Sequence, residues 1–227
     1  MLKQEDKEFL IKVLTFWDKL ESKHKELIVN NTNHAVFDKG ENIHNGNDDC
    51  VGVILVKSGE LRSYMLSEEG KEVTLYSFSS GDICILSSSC MFENVDFDIF
   101  VDAEIECEVL IIDSKVFQAV TKENIYGENF SLRKTVDRFS DVMAAMQEIL
   151  FLSIEGRLAN FLLREISKNE KNTISITHEE IAKHIGSARE VVSRTLKNFE
   201  NKGLIKLSRG RVEVEDKMKI IDIVEAL

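Results

Sequence analysis

The fold is decided by residues 177–202, THEEIAKHIGSAREVVSRTLKNFENK, which predict two short helices joined by a tight turn. Capping boxes of the form S/T-x-x-E, which begin helices, start at Thr177 and at Ser187. Gly186 separates the two predicted helices and permits the turn. Apolar residues recur at helical spacing on one edge of each helix: Ile181, Ala182 and Ile185 in the first, and Val192, Leu196 and Phe199 in the second. Together these features are typical of a helix-turn-helix.

The outward face of the second helix is polar, and packing does not require its side chains. This face carries Arg189, Glu190, Ser193 and Arg194. Arginine can bond both acceptors of a guanine, glutamate can accept from a cytosine amino group, and a helix fits the major groove of DNA. We therefore predict that these four residues contact double-stranded DNA, together with Thr177, Ser187 and Arg209. The alternative is an ordinary helix hairpin whose charged face is only solvated.

The chain after the second helix predicts a small β-hairpin. Gly203 ends the helix, strand-like LIKL follows from Leu204, and a second strand, RVEV, follows from Arg211. Residues 208–210 supply the turn between the two strands. A hairpin directly behind a helix-turn-helix indicates a winged helix.

The segment SAREVVSRTLKNFENKGLI, with the hairpin after it, resembles the recognition region of the CRP/FNR family of bacterial transcription regulators. Arg189, Glu190 and Arg194 match the Arg-Glu-x-x-x-Arg of the catabolite-activator branch. Glu190, Ser193 and Arg194 also match the Glu-x-x-Ser-Arg of the FNR branch, so the motif chooses neither branch. The resemblance implies a homodimer that binds a palindromic DNA operator, with RNA polymerase as a further partner.

Charge is distributed unevenly along the 227 residues, whose formal net charge is -11. Residues 157–211 hold 12 Lys and Arg against 6 Asp and Glu, a net charge of +6. Residues 1–156 hold 15 against 29, a net charge of -14. A basic C-terminal domain can therefore contact phosphates while an acidic N-terminal domain faces away from them. With 43% hydrophobic residues, the chain can give each of two domains its own core.

The first twenty residues carry charges throughout, unlike a signal peptide. No run approaches the roughly 20 apolar residues that are needed to span a bilayer. We therefore expect a cytoplasmic protein without membrane contact. The N-terminal segment instead predicts an amphipathic helix. Its packed side chains would be Phe9, Leu10, Leu14 and Trp17.

Short apolar runs with strand-like alternation fill residues 28–120. They are VGVILV from Val51, ELRSYML from Glu60, EVTLYSF from Glu72, FDIFVDA from Phe97 and CEVLIID from Cys107. Turn signals such as Ser58-Gly59 separate them, which predicts an all-β barrel or jelly roll of about 90 residues. In their order, the runs resemble the strands of the effector-binding roll of the CRP/FNR family, a cyclic-nucleotide-binding-like domain.

The cyclic-nucleotide branch of this family holds the ligand phosphate with a Gly-Glu-type turn, the amino end of a short helix, and an arginine followed by Ser or Thr. Residues 81–84 match the turn, and residues 86–91 would form the short helix, whose free amides favour an anion. The resemblance thus implies an effector pocket. Its residues would be Gly81, Asp82, Cys84, Ser88, Ser89 and Cys90.

The segment expected to supply the arginine reads ENVDFDIFVD and holds no basic residue. A cyclic phosphate would meet unpaired negative charge there rather than a bidentate partner. The acidic residues are Glu93, Asp96, Asp98 and Asp102. We therefore predict an effector other than cyclic AMP, and the residues identify neither that effector nor a cofactor.

Four cysteines, at positions 50, 84, 90 and 107, raise the question of a redox or metal site. No Cys-x-x-Cys occurs, and no cysteine lies in the first 49 residues, where the FNR branch places most of its cluster ligands. Small buried apolar side chains are the simpler interpretation. A thiol switch or cluster using Cys84, Cys90 and Cys107 is the alternative. His34 and His44 lie in predicted loops without zinc spacing, so no metal site is predicted.

Behind the predicted roll, apolar residues recur at steps of 4, 3, 4, 3 and 4, a heptad seam typical of a coiled coil. The seam consists of Leu132, Val136, Phe139, Met143, Met146 and Leu150. We predict that it joins two copies of the chain, because one helix-turn-helix reads too few base pairs for a specific site. In a monomer the same seam would pack on the roll. Gly156, in a Gly-Arg-Leu-Ala sequence that resembles the family's entry into its DNA-binding domain, is the predicted hinge.

The sequence therefore predicts an α+β protein with three parts. They are an N-terminal helix and effector-sensing jelly roll over residues 1–127, a dimerisation helix over residues 128–155, and a winged helix-turn-helix domain over residues 156–227. The function implied is sequence-specific transcription regulation. The alternative is a redox-sensing or ligand-sensing module that acts through protein contacts. An enzyme is not expected, because no nucleophile with a spaced base and no phosphate-cradling glycine loop occurs.

Overall fold

The structure, a computed structural model, describes residues 2–46, 51–85, 98–169 and 171–225. Its helices are α1 (Gln4–Val13), α2 (Ser22–Asn30), α3 (Ser114–Lys122), α4 (Ile125–Phe151), α5 (Ile154–Asn169), α6 (His178–Ile185), α7 (Arg189–Asn201) and α8 (Lys217–Glu225). Its strands are β1 (Thr32–Phe37), β2 (Asn42–Asn45), β3 (Val53–Ser58), β4 (Leu61–Leu66), β5 (Glu72–Phe78), β6 (Ile83–Cys84), β7 (Phe100–Ala103), β8 (Cys107–Ile112), β9 (Thr173–Ile174), β10 (Ile205–Ser208) and β11 (Arg211–Val214). Among these helices, none is long and apolar enough to cross a membrane.

The chain forms two compact units. The first contains Met1–Met65 and Leu75–Val142, and the second contains Leu66–Thr74 and Met143–Leu227. The second unit thus includes a short piece of the roll sequence, the tip of the hairpin that joins β4 to β5.

The first unit is built on two four-stranded antiparallel sheets, with strand orders β1-β8-β3-β6 and β2-β7-β4-β5. β5 has the bounds of the predicted run, β4, β7 and β8 lie within theirs, and β3 extends two residues beyond its run. The predicted jelly roll, long helix and winged helix-turn-helix are therefore confirmed. β1 and β2 were not singled out by the sequence, because their few apolar residues do not alternate regularly.

Two apolar clusters fill the first unit. One joins α1, β3, β8 and α3, and it includes the predicted N-terminal residues Leu10, Leu14 and Trp17. The other lies between the sheets and includes Tyr76 and Phe78 from β5. These residues are thus packed as predicted, but α1 ends at Val13, so Leu14 lies at its C-cap and Trp17 in the short 3-10 helix Trp17–Lys19 that follows.

Gly59 makes the tight turn between β3 and β4. It has φ of +90°, a left-handed conformation that side chains rarely adopt. A Cβ atom at this position would lie 2.4 Å from the Glu106 carbonyl oxygen and 2.6 Å from Cys107 Sγ. Glycine is therefore required both by the backbone and by the approach of β8.

Lys57 forms a partly buried ion-pair cluster between α1 and the roll. Its ammonium lies 2.8 Å from Asp6 Oδ1 and 2.7 Å from Glu108 Oε1, and His34 Nε2 lies 2.7 Å from the same Glu108 oxygen. Asp6, His34 and Glu108 are close enough together to hold a metal ion. The Lys57 ammonium already supplies positive charge to both carboxylates, so this cluster is explained by ion pairing.

The cluster shifts the pKa of each partner toward its charged form. The hydrogen bond to Asp6, followed by that to Glu108, raises the pKa of Lys57 well above its usual range. The Lys57 hydrogen bond likewise lowers the pKa of Glu108. Burial works to raise the pKa of Asp6, but the hydrogen bond and charge of Lys57 outweigh it, so that pKa is lowered.

Lys57→Met is expected to lower the free energy of unfolding by about 3 kcal/mol at pH 7, because it leaves the buried Asp6 carboxylate unpaired. The lowered pKa values of Asp6 and Glu108 mean that the stabilisation is fully present above pH ~4 and is lost as the pH falls through their folded-state pKa values. Urea unfolding at pH 7 and at pH 2.5 measures both effects. Lys23→Met, which removes solvent-exposed pairs with Glu21 and Glu123, is the control and should cost under about 0.5 kcal/mol. Equal losses at both pH values for Lys57→Met would contradict this account.

The histidines and cysteines are placed only partly as predicted. His44 is buried on β2, at 1% exposure, and not on the surface. Burial lowers its pKa, with Asp98 opposing the shift. Cys84 and Cys107 are buried, and burial raises the pKa of the Cys107 thiol, so it is a poor nucleophile. Cys50 and Cys90 lie outside the described residues.

Candidate nucleic-acid interface

α6 begins with the predicted capping box. The Thr177 hydroxyl accepts a 3.1 Å hydrogen bond from the Glu180 amide, and the Thr177 amide donates a 2.7 Å hydrogen bond to the Glu180 carboxylate. Two of the free amides of a helix start are therefore satisfied by side chains. The N-terminus of α6 is fixed where the sequence placed it.

α6 ends at Gly186, which has φ of +61° and ψ of +49°. Such a left-handed residue is a common helix stop. Arg157, from α5, donates a 2.9 Å hydrogen bond from Nη1 to the carbonyl oxygen of Ile185. Its positive charge lies at the carboxyl end of α6, where the helix dipole favours a cation. The turn between the two helices of the motif is thus held from behind by α5.

The predicted capping box of α7 is wrong. α7 begins at Arg189, its N-cap is Ala188, and no side chain caps it. The amide of Ser187 instead donates to the carbonyl oxygen of Ala182. Ser187 is therefore part of the turn that closes α6, and the next helix cannot start until the residue after it.

The two faces of α7 separate as the sequence predicted. Its buried residues are Val192, Thr195, Leu196 and Phe199. Arg189, Glu190 and Arg194 are exposed. Ser193 is half-buried, and its hydroxyl lies 3.2 Å from Nδ1 of His178 on α6. Three of the four residues predicted to contact DNA are thus exposed to solvent. The fourth, Ser193, also connects α7 to α6.

Glu155 connects the recognition helix to α5. One of its carboxylate oxygens accepts a 2.8 Å hydrogen bond from Asn198, and the other lies 3.6 Å from the Lys202 ammonium. The sequence did not single out this residue, and its position before the predicted hinge gives no local signal of contact with α7. The carboxyl-terminal end of α7 is therefore held by α5.

The predicted wing is a three-stranded antiparallel sheet, with strand order β10-β11-β9. Ser208 pairs with Arg211, and the exposed Arg209 lies in the turn between them. Thr177, Arg189 and Arg211 line one groove between the two helices and this turn. The structure thus brings the start of α6, the start of α7 and the wing together, as DNA docking by a winged helix requires.

Only half of the predicted effector pocket is described. Gly81 has φ of +93° and makes the turn before β6. The Asp82 carboxylate accepts a 2.8 Å hydrogen bond from the Ser79 amide, and Cys84 is buried in the roll core. Ser88, Ser89, Cys90 and the predicted short helix over residues 86–91 lie outside the described residues.

Arg138, on α4, is a basic residue beside the roll that sequence reasoning missed. Its guanidinium carbon lies 5.3 Å from the centre of the Tyr76 ring and 5.0 Å from that of Phe78. It donates a 2.9 Å hydrogen bond to Asp141 and lies 3.8 Å from Asp82. Burial raises the pKa of Tyr76, which stays a neutral phenol. The only sequence signal for this contact is the Arg-x-x-Asp spacing on one helix face.

Asp102, in the acidic segment of residues 93–102, was predicted to present unpaired negative charge to a ligand, but it has partners in the structure. This carboxylate lies 3.6 Å from the guanidinium of Arg62 and accepts a 2.7 Å hydrogen bond from Asn42. Its neighbours on β7, Val101 and Ala103, face the core, so strand alternation turns Asp102 outward. Asp102 is therefore paired and would not meet a ligand inside the roll. Asp98 is exposed, and Glu93 and Asp96 lie outside the described residues.

The predicted seam residues of α4 are exposed on the single chain. Their relative exposures are 58% for Leu132, 62% for Val136, 64% for Phe139, 46% for Met143, 46% for Met146 and 66% for Leu150. Phe151, the residue after Leu150, is 75% exposed. On the single chain, each of these side chains is therefore largely exposed. A continuous apolar stripe of this kind is typical of a surface that another protein covers.

Comparison with known proteins matches both parts of the chain to described families. Residues 35–124 match the cyclic nucleotide-binding domain, and residues 156–223 match the Crp-like helix-turn-helix domain. The cAMP-activated global transcriptional regulator Vfr of Pseudomonas aeruginosa is 24% identical over 193 residues, which cover 81% of this chain and 89% of Vfr. The cAMP-activated global transcriptional regulator CRP of Salmonella typhimurium is 29% identical over 178 residues, which cover 76% of this chain and 84% of CRP.

Among solved structures, the c-di-GMP responsive global regulator CLP of Xanthomonas campestris shares the fold, with a TM-score of 0.70 at 18% identity over 86% of this chain and 99% of that one. A crystal structure of a transcriptional regulator of the CRP/FNR family from Eubacterium rectale is 40% identical, with a TM-score of 0.89. That similarity covers 92% of this chain and 97% of the other. Because it extends over nearly the whole of both chains, and both domain families match, the protein belongs to the CRP/FNR family of DNA-binding transcription regulators.

Proposed function

We propose that the protein is a homodimeric, cytoplasmic transcription regulator that reads a palindromic operator and responds to an effector other than cyclic AMP. The observation that carries the proposal is the exposed face of α7, which presents Arg189, Glu190 and Arg194, and whose first residue, Arg189, shares a groove with the wing turn. A bidentate arginine and an accepting glutamate on one helix can distinguish base pairs in the major groove. We also propose RNA polymerase as a further partner, on family resemblance alone.

Two copies are needed because one recognition helix covers too few base pairs. A two-fold dimer places two such helices about one DNA turn apart and reads both halves of a palindrome. The exposed apolar stripe of α4 is the surface that supports this proposal. The domain boundaries at residues 127 and 155, with Gly156 as hinge, remain predictions of this arrangement.

A salt-titrated DNA-binding measurement tests the proposed function. Purified protein should select a palindromic sequence from genomic fragments, and its affinity should fall steeply as the salt concentration rises. Selection with and without reductant would show whether a thiol switch contributes. Absence of duplex binding at low salt would favour a sensing module that acts through protein contacts.

Cyclic AMP and cyclic GMP are expected not to bind at micromolar concentrations. Among the described residues, Arg138 donates to Asp141 and lies 3.8 Å from Asp82, so a cyclic phosphate would have to compete with two carboxylates for this cation. The relatives Vfr and CRP are cAMP-activated, and this chain would differ from them. Calorimetry at low salt is the measurement. Binding that disappears in Arg138→Met would contradict the expectation and would identify Arg138 as the phosphate partner.

A further inference from the structure

The tip of the β4–β5 hairpin, residues 66–74, is a strongly acidic part of the second unit. Its turn is closed by the Ser67 amide, which donates a 2.9 Å hydrogen bond to the Lys71 carbonyl oxygen, and by the Ser67 hydroxyl, which accepts from the Lys71 amide. The tip holds three glutamates, Glu68, Glu69 and Glu72, against one lysine. An acidic tip of this kind would repel a DNA backbone.

Glu72 and Thr74 from this tip both hold Lys183 of α6. The Glu72 carboxylate lies 2.8 Å from the Lys183 ammonium. The Thr74 hydroxyl donates a 3.3 Å hydrogen bond to the Lys183 carbonyl oxygen. The Glu72 side chain is 15% exposed and that of Lys183 is 41% exposed, so the pair lies at the surface with the carboxylate partly enclosed. A carboxylate and a phosphate are alternative anionic partners for such an ammonium.

Lys183 lies next to the residues that the proposed function places on DNA. It lines one groove of about 320 Å³ with Ser187, Arg189 and the tip residues Lys71 and Glu72. When the second helix of a helix-turn-helix enters the major groove, the first helix crosses the DNA backbone. Lys183 is on that first helix, on the side that shares a groove with the start of α7. Its ammonium is therefore placed to meet a phosphate that flanks the bases contacted by Arg189.

We infer that Lys183 is a DNA-phosphate contact and that Glu72 occupies it in this conformation, so that the hairpin tip competes with the DNA backbone for one lysine. The inference rests on the proposed DNA binding of the protein. Glu72 would thus be an acidic group that weakens binding to the DNA backbone and makes no contact with bases. The competition acts equally on every DNA sequence, because phosphates carry no sequence information.

The test uses the full chain and a 30-base-pair duplex of random sequence, with binding followed by fluorescence anisotropy at several salt concentrations. Glu72→Gln should tighten binding by about two- to fivefold for each protomer on the DNA, the range expected for removing one surface ion pair. Lys183→Met should weaken binding and reduce the slope of log affinity against log salt by about one unit for each protomer on the DNA. Glutamine has nearly the size of glutamate, and thermal melting of each variant checks that it folds.

The two changes are then combined in a double-mutant cycle, with Glu69→Gln as the matched control. Glu69 is an exposed charge on the same tip, so its removal changes only the general field. The gain from Glu72→Gln should vanish in the Lys183→Met background, whereas any small gain from Glu69→Gln should persist. A Glu72→Gln gain that survives in Lys183→Met, or that equals the Glu69→Gln gain, overturns the inference. Failure of the unmodified protein to bind any duplex at low salt would instead overturn the proposed function.

Discussion

Replacing Phe139 with glutamate is expected to convert the proposed dimer to a monomer and to abolish specific DNA binding. Phe139 lies in the middle of the exposed stripe of α4, at 64% exposure on the single chain. Burial of each Phe139 ring in a dimer interface would contribute about 2 kcal/mol to self-association. Glutamate at this position would remove that contribution, and the two carboxylates would repel one another. Self-association should weaken by at least about 1,000-fold.

Sedimentation at micromolar protein concentration measures this effect directly. Ala144→Glu is the matched control, because it adds the same charge to an exposed position of α4 outside the heptad seam. The control should remain dimeric and should bind DNA. If the Phe139→Glu protein still sedimented as a dimer, the dimer interface would not lie on this helix. Binding to two half-sites of a palindrome would then have to depend on another interface.

Arg194→Ala is expected to relax the base preference at one position of each half-site. Arg194 is exposed on α7, on the face opposite the buried Leu196 and Phe199. A good bidentate contact to guanine is worth about 1–3 kcal/mol of discrimination, or about 5- to 150-fold between the right and wrong base. Binding to the selected operator and to its single-base variants, at one fixed salt concentration, gives this ratio.

Arg209→Ala is the comparison variant. Arg209 is exposed in the wing turn and does not belong to α7, and its expected contact is with phosphate. Its loss should weaken binding to all duplexes alike and lower the salt slope by about one unit. If Arg194→Ala produced equal losses on the operator and on scrambled DNA, α7 would lie along the backbone and not in the groove.

The helix-turn-helix was predictable because its signals are local. The capping box at Thr177, the left-handed stop at Gly186 and the apolar edge around Leu196 all lie within one helical turn of the feature that they determine. The second capping box failed for an equally local reason, since Ser187 serves the end of α6 instead of the start of α7. Neighbouring elements competed for one residue, and the sequence pattern does not show which one wins.

The sequence predicted the fold class of the roll, but it did not predict the contacts of the buried polar residues. β2 is a four-residue strand without apolar alternation, so its burial of His44 depends on pairing with a distant strand, β7. Arg138 reaches Tyr76 across more than sixty residues of sequence. Contacts of this kind arise from packing, and no spacing rule for a single helix or strand anticipates them.

The missing side-chain cap at Ala188 has a consequence for the reading end of α7. A side-chain cap is worth about 1 kcal/mol, and α6 has one while α7 does not. The first turn of α7, with Arg189 and Glu190, is therefore the part of the helix most prone to fray, whereas Phe199 and Glu155 hold the other end. Ordering that turn on DNA would cost conformational entropy. Base contacts on a matching operator would offset this cost, whereas a mismatched operator would offer fewer such contacts. We therefore expect the uncapped start of α7 at Ala188 to increase the difference in affinity between matching and mismatched operators.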